Sequence, residues 1–266
     1  MREEFWKIPV YEDQELAGKL GAAVLRREKL HHWPLSYVEK VTLEDGRSVI
    51  YKAQHAAASV ENLFYSRVRA PFLLKPVFSE EGEGWAALGF PYVEHTPQPK
   101  GSPEELKRTV ERWSGMLQGL SDVPVYFDIS TLEKLSALLE EALKVLAPED
   151  GLRREMEVWM EKRAPLCYRD QPTGILHGDL RGENVITEGD RLLYIIDWQR
   201  PVLGPLPLET ASAMEQAGFP LKGDPFGELA LAFNGIWYGY ANLHLLPFPD
   251  LKETARGYFQ RAVNGG

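Results

Sequence analysis

Residues 174–209 read GILHGDLRGENVITEGDRLLYIIDWQRPVLGPLPLE, and this stretch decides how the rest of the chain is read. It contains His177-Gly178-Asp179, then Asn184 five residues past that aspartate, then Asp197 at the end of the apolar run Leu192–Ile196. Val185-Ile186 and Leu192–Ile196 have the apolar, β-branched character of two short strands. The polar, glycine-containing segment Thr187–Arg191 between them predicts a hairpin turn. Such a hairpin places Asp179, Asn184 and Asp197 at one end, so that two carboxylates and a carboxamide converge. Oxygen donors without a thiolate suit a hard cation such as Mg²⁺, which keeps waters and takes further ligands from a substrate's phosphates. A carboxylate beside that cation can accept the proton of an attacking hydroxyl, and the combination meets the needs of phosphoryl transfer. The plain alternative is an Asp/Asn turn followed by a strand-end aspartate.

The motifs HGDLRGEN and IIDWQRPVLGP resemble those of the aminoglycoside phosphotransferase and choline kinase-like family, relatives of the protein kinases. The resemblance implies a protein kinase-like, bilobal α+β fold: a small antiparallel N-terminal sheet with one main helix, then a larger helical lobe carrying the catalytic hairpin. It implies that Asp179 is the catalytic aspartate, that Asn184 and Asp197 are the metal ligands, and that His177 braces the loop. Glu209-Thr210-Ala211 stands where relatives have an Asp-Leu-Ala whose aspartate supports the catalytic loop.

Two further segments carry the same resemblance. Tyr37–Leu43, Asp45-Gly46 and Ser48–Gln54 form a clear hairpin pattern, with Asp-Gly suited to a two-residue type I′ turn. Period two puts Val49, Tyr51 and Ala53 on one face and Ile50 and Lys52 on the other. The segment from Ala56 to Val68 reads as a helix carrying Glu61 in the run Glu61-Asn62-Leu63-Phe64-Tyr65, similar to the family's strand lysine followed by a helix with E-x-x-F-Y. By that likeness Lys52 holds the α/β-phosphates of ATP and Glu61 orients it. Taken alone, Lys52 reads as a solvated surface charge and Glu61 as an exposed helix charge.

The remainder of the chain fills in around these pieces. Residues 13–29 predict a short amphipathic helix with Asp13 as its cap and Leu16, Leu20 and Val24 on one face. Glu28–Ser36, where the resemblance calls for a phosphate-covering loop, contains no glycine. His31 and His32 are adjacent, and neighbours on a strand point to opposite faces, which argues against a shared ion. Leu73–Phe78 and Trp85–Phe90 predict two strands joined by the acidic loop Ser79–Gly84. The resemblance implies that Tyr92, Val93 and Glu94 follow as a hinge meeting adenine. Thr96–Gly101 is a Pro/Gly-rich linker, and the expected division is a nucleotide-binding lobe over 1–95 and a helical lobe with the acceptor site over 96–266. Capping signals at Ser102, Ser130, Asp224 and Asp250, and a turn at Pro148, mark five helices in that second part. Phe233, Trp237 and Tyr240 fall on one helical face, a pattern that suits a core seam better than a cage for a quaternary ammonium.

Composition bounds the function classes. With 44% hydrophobic and 26% charged residues in 266, the chain has the makeup of a soluble globular protein. The net charge of −9 argues against nucleic acid as a partner. The two parts carry −2 and −7; an acidic second half fits a cationic acceptor as well as plain solubility. No secretory signal and no run long enough to span a membrane is visible. The one cysteine, Cys167, suits a buried inert thiol and a reducing compartment, so a cytoplasmic location is expected. The expected activity is transfer of the ATP γ-phosphate, with Mg²⁺, to a hydroxyl of a small molecule. A nucleotide-binding pseudokinase is the rival reading, supported by the glycine-free loop. Acceptor identity and oligomeric state are left open by the sequence.

Overall fold

A computed structural model describes residues 2–4, 8–94, 101–189 and 191–265. The chain divides into two compact units. The first comprises Met1–Gln98, Asp122–Pro124 and Val185–Arg200; the second comprises Pro99–Ser121, Val125–Asn184 and Pro201–Gly266. Residues 96–100 of the linker read at Thr96–Gly101, and with them the lobe boundary at 95/96, lie outside the described residues, as does Asp190 in the hairpin turn.

In the first unit, β1 (Arg2–Glu4) pairs with β2 (Ile8–Val10), and α1 (Asp13–Leu20) follows. The helix is shorter than the sequence suggests. Gly21 adopts a left-handed conformation after Leu20, and Val24, read as helical, starts β3 (Val24–Trp33). The residue before the helix is Glu12, whose side chain and that of Glu15 form a reciprocal capping box, so Asp13 is not the cap. β3 turns at Pro34-Leu35 into β4 (Ser36–Leu43). The glycine-free stretch is therefore mostly strand and a tight turn rather than an open loop.

β4 and β5 (Ser48–His55) form the anticipated hairpin, but its loop is longer by one residue. Leu43 N–H bonds Arg47 C=O at 2.9 Å, and of the loop residues only Gly46 has a positive φ, +86°. This is the three-residue form, in which glycine takes the left-handed position. β6 (Phe78–Gly82) and β7 (Trp85–Pro91) complete an antiparallel sheet of order β3-β4-β5-β7-β6. The first of these strands occupies the segment read as an acidic loop, while Leu73 makes only a bridge to Ile195. Val49, Tyr51 and Ala53 face a core shared with Val10, Tyr11, Leu16, Tyr37 and Ala87. Lys52 is on the other face.

Across that other face lies α2 (Glu61–Arg67), shorter than expected because Ala56–Ala58 is a separate 3-10 turn. The expected hairpin forms from β10 (Val185–Glu188) and β11 (Arg191–Ile195), antiparallel with a bulge at Ile186/Thr187, but Thr187, Glu188 and Arg191, read as turn, belong to its strands. It packs as part of the first unit through Phe72 C=O, which accepts from Ile195 N–H at 2.8 Å, although the sequence reading gives it to the helical part.

The second unit is mainly helical. Its helices are α3 (Pro103–Leu117), α4 (Leu132–Ala142), α5 (Gly151–Lys162), α6 (Pro207–Gln216), α7 (Pro225–His244) and α8 (Pro249–Val263). Ser102 and Glu105 form the predicted capping box on α3, and Asp224 caps α7. The cap of α4 is Thr131, one residue past the predicted Ser130, which instead bonds Asp128. Phe248, not Asp250, precedes α8. A three-stranded sheet supports these helices: β8 (Phe127–Asp128) and β9 (Thr173–Leu176) flank β12 (Val202–Pro205). Phe127 sits edge-on against Phe233, Trp237 and Tyr240, so that aromatic face is a core seam with its centre filled. Among the described residues no helix is long and apolar enough to cross a membrane.

Candidate active site

In the first unit, β5 aims Lys52 at two carboxylates. Its Nζ lies 2.6 Å from Glu61 of α2 and 2.5 Å from Asp197, which follows β11. Neither Lys52 nor Glu61 is the solvated charge it reads as when taken alone: Lys52 is 7% exposed and Glu61 1%. Burial works against the ammonium charge, but Asp197 and Glu61 outweigh it and hold the Lys52 pKa above the usual lysine range. Glu61 is pushed upward by burial and pulled back by Lys52. Lys52 therefore stays charged because it is doubly paired, and its charge in turn offsets the burial of Glu61.

Asp197 is held in an uncommon backbone conformation, φ +67°, which a non-glycine residue adopts at a cost. The residues after it secure the turn. Trp198 N–H donates to the Glu61 carboxylate. Its ring, fully buried, stacks on Phe64 with centroids 4.3 Å apart and planes 9° from parallel. Tyr65 is also buried beside Glu61 and Asp197; burial raises its pKa well above the usual phenol value, and its hydroxyl has no hydrogen-bond partner among the described residues. Tyr92 gives its N–H to Ser48 C=O at 2.9 Å, and Lys40 Nζ stands 3.6 Å from its ring centroid. Tyr92 and Val93 are half-buried and Glu94 is exposed.

In the second unit, β9 leads directly into His177. Gly178, with φ +83°, turns the chain so that Asp179 follows at the start of the loop. Asn184 is buried and donates through Nδ2 to Asp179 C=O at 2.8 Å and to Asp179 Oδ2 at 3.0 Å. His177 Nδ1 accepts the Asp179 N–H at 3.3 Å. Arg181 lies 3.4 Å from Asp179 Oδ1, 3.5 Å from Glu183 and is 45% exposed, as befits a solvated loop charge.

Glu209 anchors this loop. β9 and β12 pair antiparallel, Leu176 opposite Val202, and β12 runs into α6, whose first turn carries Glu209. Its carboxylate accepts main-chain N–H bonds from His177 at 2.5 Å, Gly178 at 3.2 Å and Leu180. Glutamate thus does the bracing that the missing aspartate put in question. Burial raises its pKa to about 7, the three donors opposing the rise and the Asp179 charge adding to it. Cys167, also in this unit, is buried and pushed up by burial to about 12, an inert thiol as read.

The sequence-predicted residues are thus brought together as two constellations, Lys52–Glu61–Asp197 and Asp179–Asn184. Asn184's amide nitrogen is engaged with Asp179, so its carbonyl oxygen is the atom that could face a cation. In the first unit, the Asp197 carboxylate is likewise an oxygen donor, of the kind that suits a hard cation such as Mg²⁺. Among the described residues no cluster of three or more His, Cys, Asp or Glu forms a protein-only metal site. The part played by Trp198 escaped the sequence reading, since a side chain following a strand-end aspartate has no periodic signal.

The model of the phosphotransferase enzyme family matches residues 17–246. The chain belongs to that family. The solved structures it resembles include the aminoglycoside phosphotransferase APH(4)-Ia, as a thermostable mutant in ternary complex with ADP and hygromycin B. That likeness has a TM-score of 0.65 at 15% identity over 96% of this chain and 98% of that one. A putative fructosamine-3-kinase from Thermobifida fusca aligns with a TM-score of 0.58 at 15% identity, covering 93% and 98%. A choline/ethanolamine kinase family protein from Mesorhizobium loti aligns with a TM-score of 0.57 at 17% identity, covering 94% and 92%. These likenesses establish the protein kinase-like α+β fold. The sequence has no significant match among curated proteins.

Proposed function

We propose that this phosphotransferase-family member transfers the γ-phosphate of ATP to a hydroxyl group of a small molecule. The observation that carries the reading is Lys52, buried and charged between Glu61 and Asp197. A cation held in that way suits the α/β-phosphates, with Glu61 fixing its direction. Asn184 and Asp197 are the oxygen donors proposed for Mg²⁺, which when bound neutralises phosphate charge. Asp179 orients the acceptor hydroxyl and takes its proton, its carboxylate steadied by Asn184 and its loop by Glu209. Tyr92, Val93 and Glu94 are proposed to meet the adenine. Aminoglycoside-, choline- and sugar-like alcohols are the acceptor classes suggested by the names of the solved structures it resembles. The acidic second part is compatible with cationic ones among them.

The rival is a nucleotide-binding pseudokinase. The tight Trp33–Ser36 turn favours it, since no glycine there turns main-chain amides toward a phosphate. ADP release from Mg·ATP, measured over a panel of hydroxyl acceptors and with water alone, separates the two. Turnover with any acceptor supports the kinase. Nucleotide binding without ADP release in any condition supports the pseudokinase.

A further inference from the structure

α2 has two turns, and the residue before it, Val60, has no side chain able to cap it. A helix this short does not hold itself together in water. The placement of its first residue, Glu61, is therefore set by what its N-terminal amides meet. Ser59 Oγ accepts from Glu61 N–H at 3.0 Å, and the main-chain carbonyl of Gln199 accepts from Val60 N–H at 2.9 Å. Gln199 is itself tied down by its side chain, whose Nε2 donates to Gln54 Oε1 at 3.0 Å.

Gln54 is 1% exposed and lies two residues past Lys52, on the same face of β5. The chain from Asp197 to Gln199 thus runs along that face in step with the strand: Asp197 meets Lys52, and Gln199 meets Gln54. We propose that Gln199 is a positioning residue, a bridge from Gln54 to Val60 that holds the first turn of α2 where Glu61 reaches Lys52. The catalytic consequence rests on the phosphate-holding role given to Lys52 above; the hold on α2 does not. The bridge is vulnerable at one bond. Gln54 Nε2 has no partner among the described residues, so losing the Gln199 amide would strand both polar atoms of a buried carboxamide.

Gln199→Met keeps length and volume and removes the amide, and Gln54→Met removes the other end. Hydrogen exchange read at the amides of residues 60–64, with those of β5 as reference, tests the hold directly. Either variant is expected to speed exchange at 60–64 by roughly tenfold or more while β5 stays at the parent rate, the size expected for losing one hydrogen bond to a buried group. Mg·ATP affinity, measured by calorimetry, is expected to weaken with it, and KM for ATP to rise more than kcat falls. Parent-like exchange at 60–64 in either variant overturns the proposal. So does faster exchange spread evenly over the first unit, which would make Gln199 a general support of the fold. A parent protein that binds no Mg·ATP sinks the proposed function instead, and the exchange data still decide what Gln199 does.

Discussion

Glu209→Gln separates two forces that act on one buried carboxyl. Burial raises its pKa to about 7, whereas the ordinary value is 4.5. The gap corresponds to about 3 kcal/mol at roughly 1.4 kcal/mol per pH unit. The sign follows from which state keeps the proton. Below pH 4.5 the group is protonated folded and unfolded, and it contributes no pH dependence. Between 4.5 and about 7 the unfolded chain releases the proton and the folded one retains it, so stability falls as pH rises and levels off above the folded pKa. Glutamine imitates the protonated acid at every pH. The variant should therefore lack this loss, and its stability relative to the parent should improve by about 3 kcal/mol between pH 4.5 and pH 8. Any constant cost of the amide cancels in that difference. Urea unfolding of both proteins at the two pH values, followed by the fluorescence of the seven tryptophans, measures it. A difference that does not change with pH would refute the reasoning. It would mean that the N–H bonds from His177, Gly178 and Leu180 keep Glu209 ionised against the cost of burial.

Three other substitutions bear on the proposed chemistry. Asp179→Asn should lower kcat by orders of magnitude and leave nucleotide affinity nearly unchanged; turnover within a few-fold of the parent would leave Asp179 a turn residue. Asp197→Ala should remove most of the Mg²⁺ dependence of ATP binding in calorimetry, and an unchanged response would move the ion elsewhere. Lys52→Met should cut kcat by roughly a hundredfold or more. Because it leaves Glu61 buried and unpaired, it should also cost about 3 kcal/mol of stability in urea unfolding, where parent-like stability would show that Glu61 simply takes up a proton.

Much of the architecture is written in short-range pattern. The alternation of Val49, Tyr51 and Ala53 is enough to give β5 its buried face, because a strand's side-chain period depends on the backbone alone. The box at Ser102 and Glu105 starts α3 for a similarly local reason. The spacing from Asp179 to Asn184 suffices for their contact, since five residues of loop bring the carboxamide back to the carboxylate. Errors cluster where local signals compete. The 3.6-residue spacing of Leu16, Leu20 and Val24 continues past Leu20, but Gly21 in the left-handed conformation ends the helix and the sheet takes Val24 as strand. Phe78–Gly82, polar and glycine-ended, is a strand only because β7 supplies the hydrogen-bonding edge.

What the tertiary structure alone decides is the electrostatic state of the site residues. Lys52, Glu61 and Asp197 are separated along the chain by up to 145 residues, and no sequence pattern says that one ammonium serves two carboxylates. Whether a charge is solvated or buried depends on the layers laid over it, and here α2 and the chain after β11 cover Lys52. Glu209 shows the same thing. From sequence it is an aspartate's substitute of uncertain reach, and the antiparallel pairing of β9 with β12 sets its carboxylate against three amides 29 to 32 residues away in the chain. Residue types and local spacing determine which groups are available; packing of distant segments determines their protonation and their partners, because desolvation and Coulomb terms act through space and not along the chain.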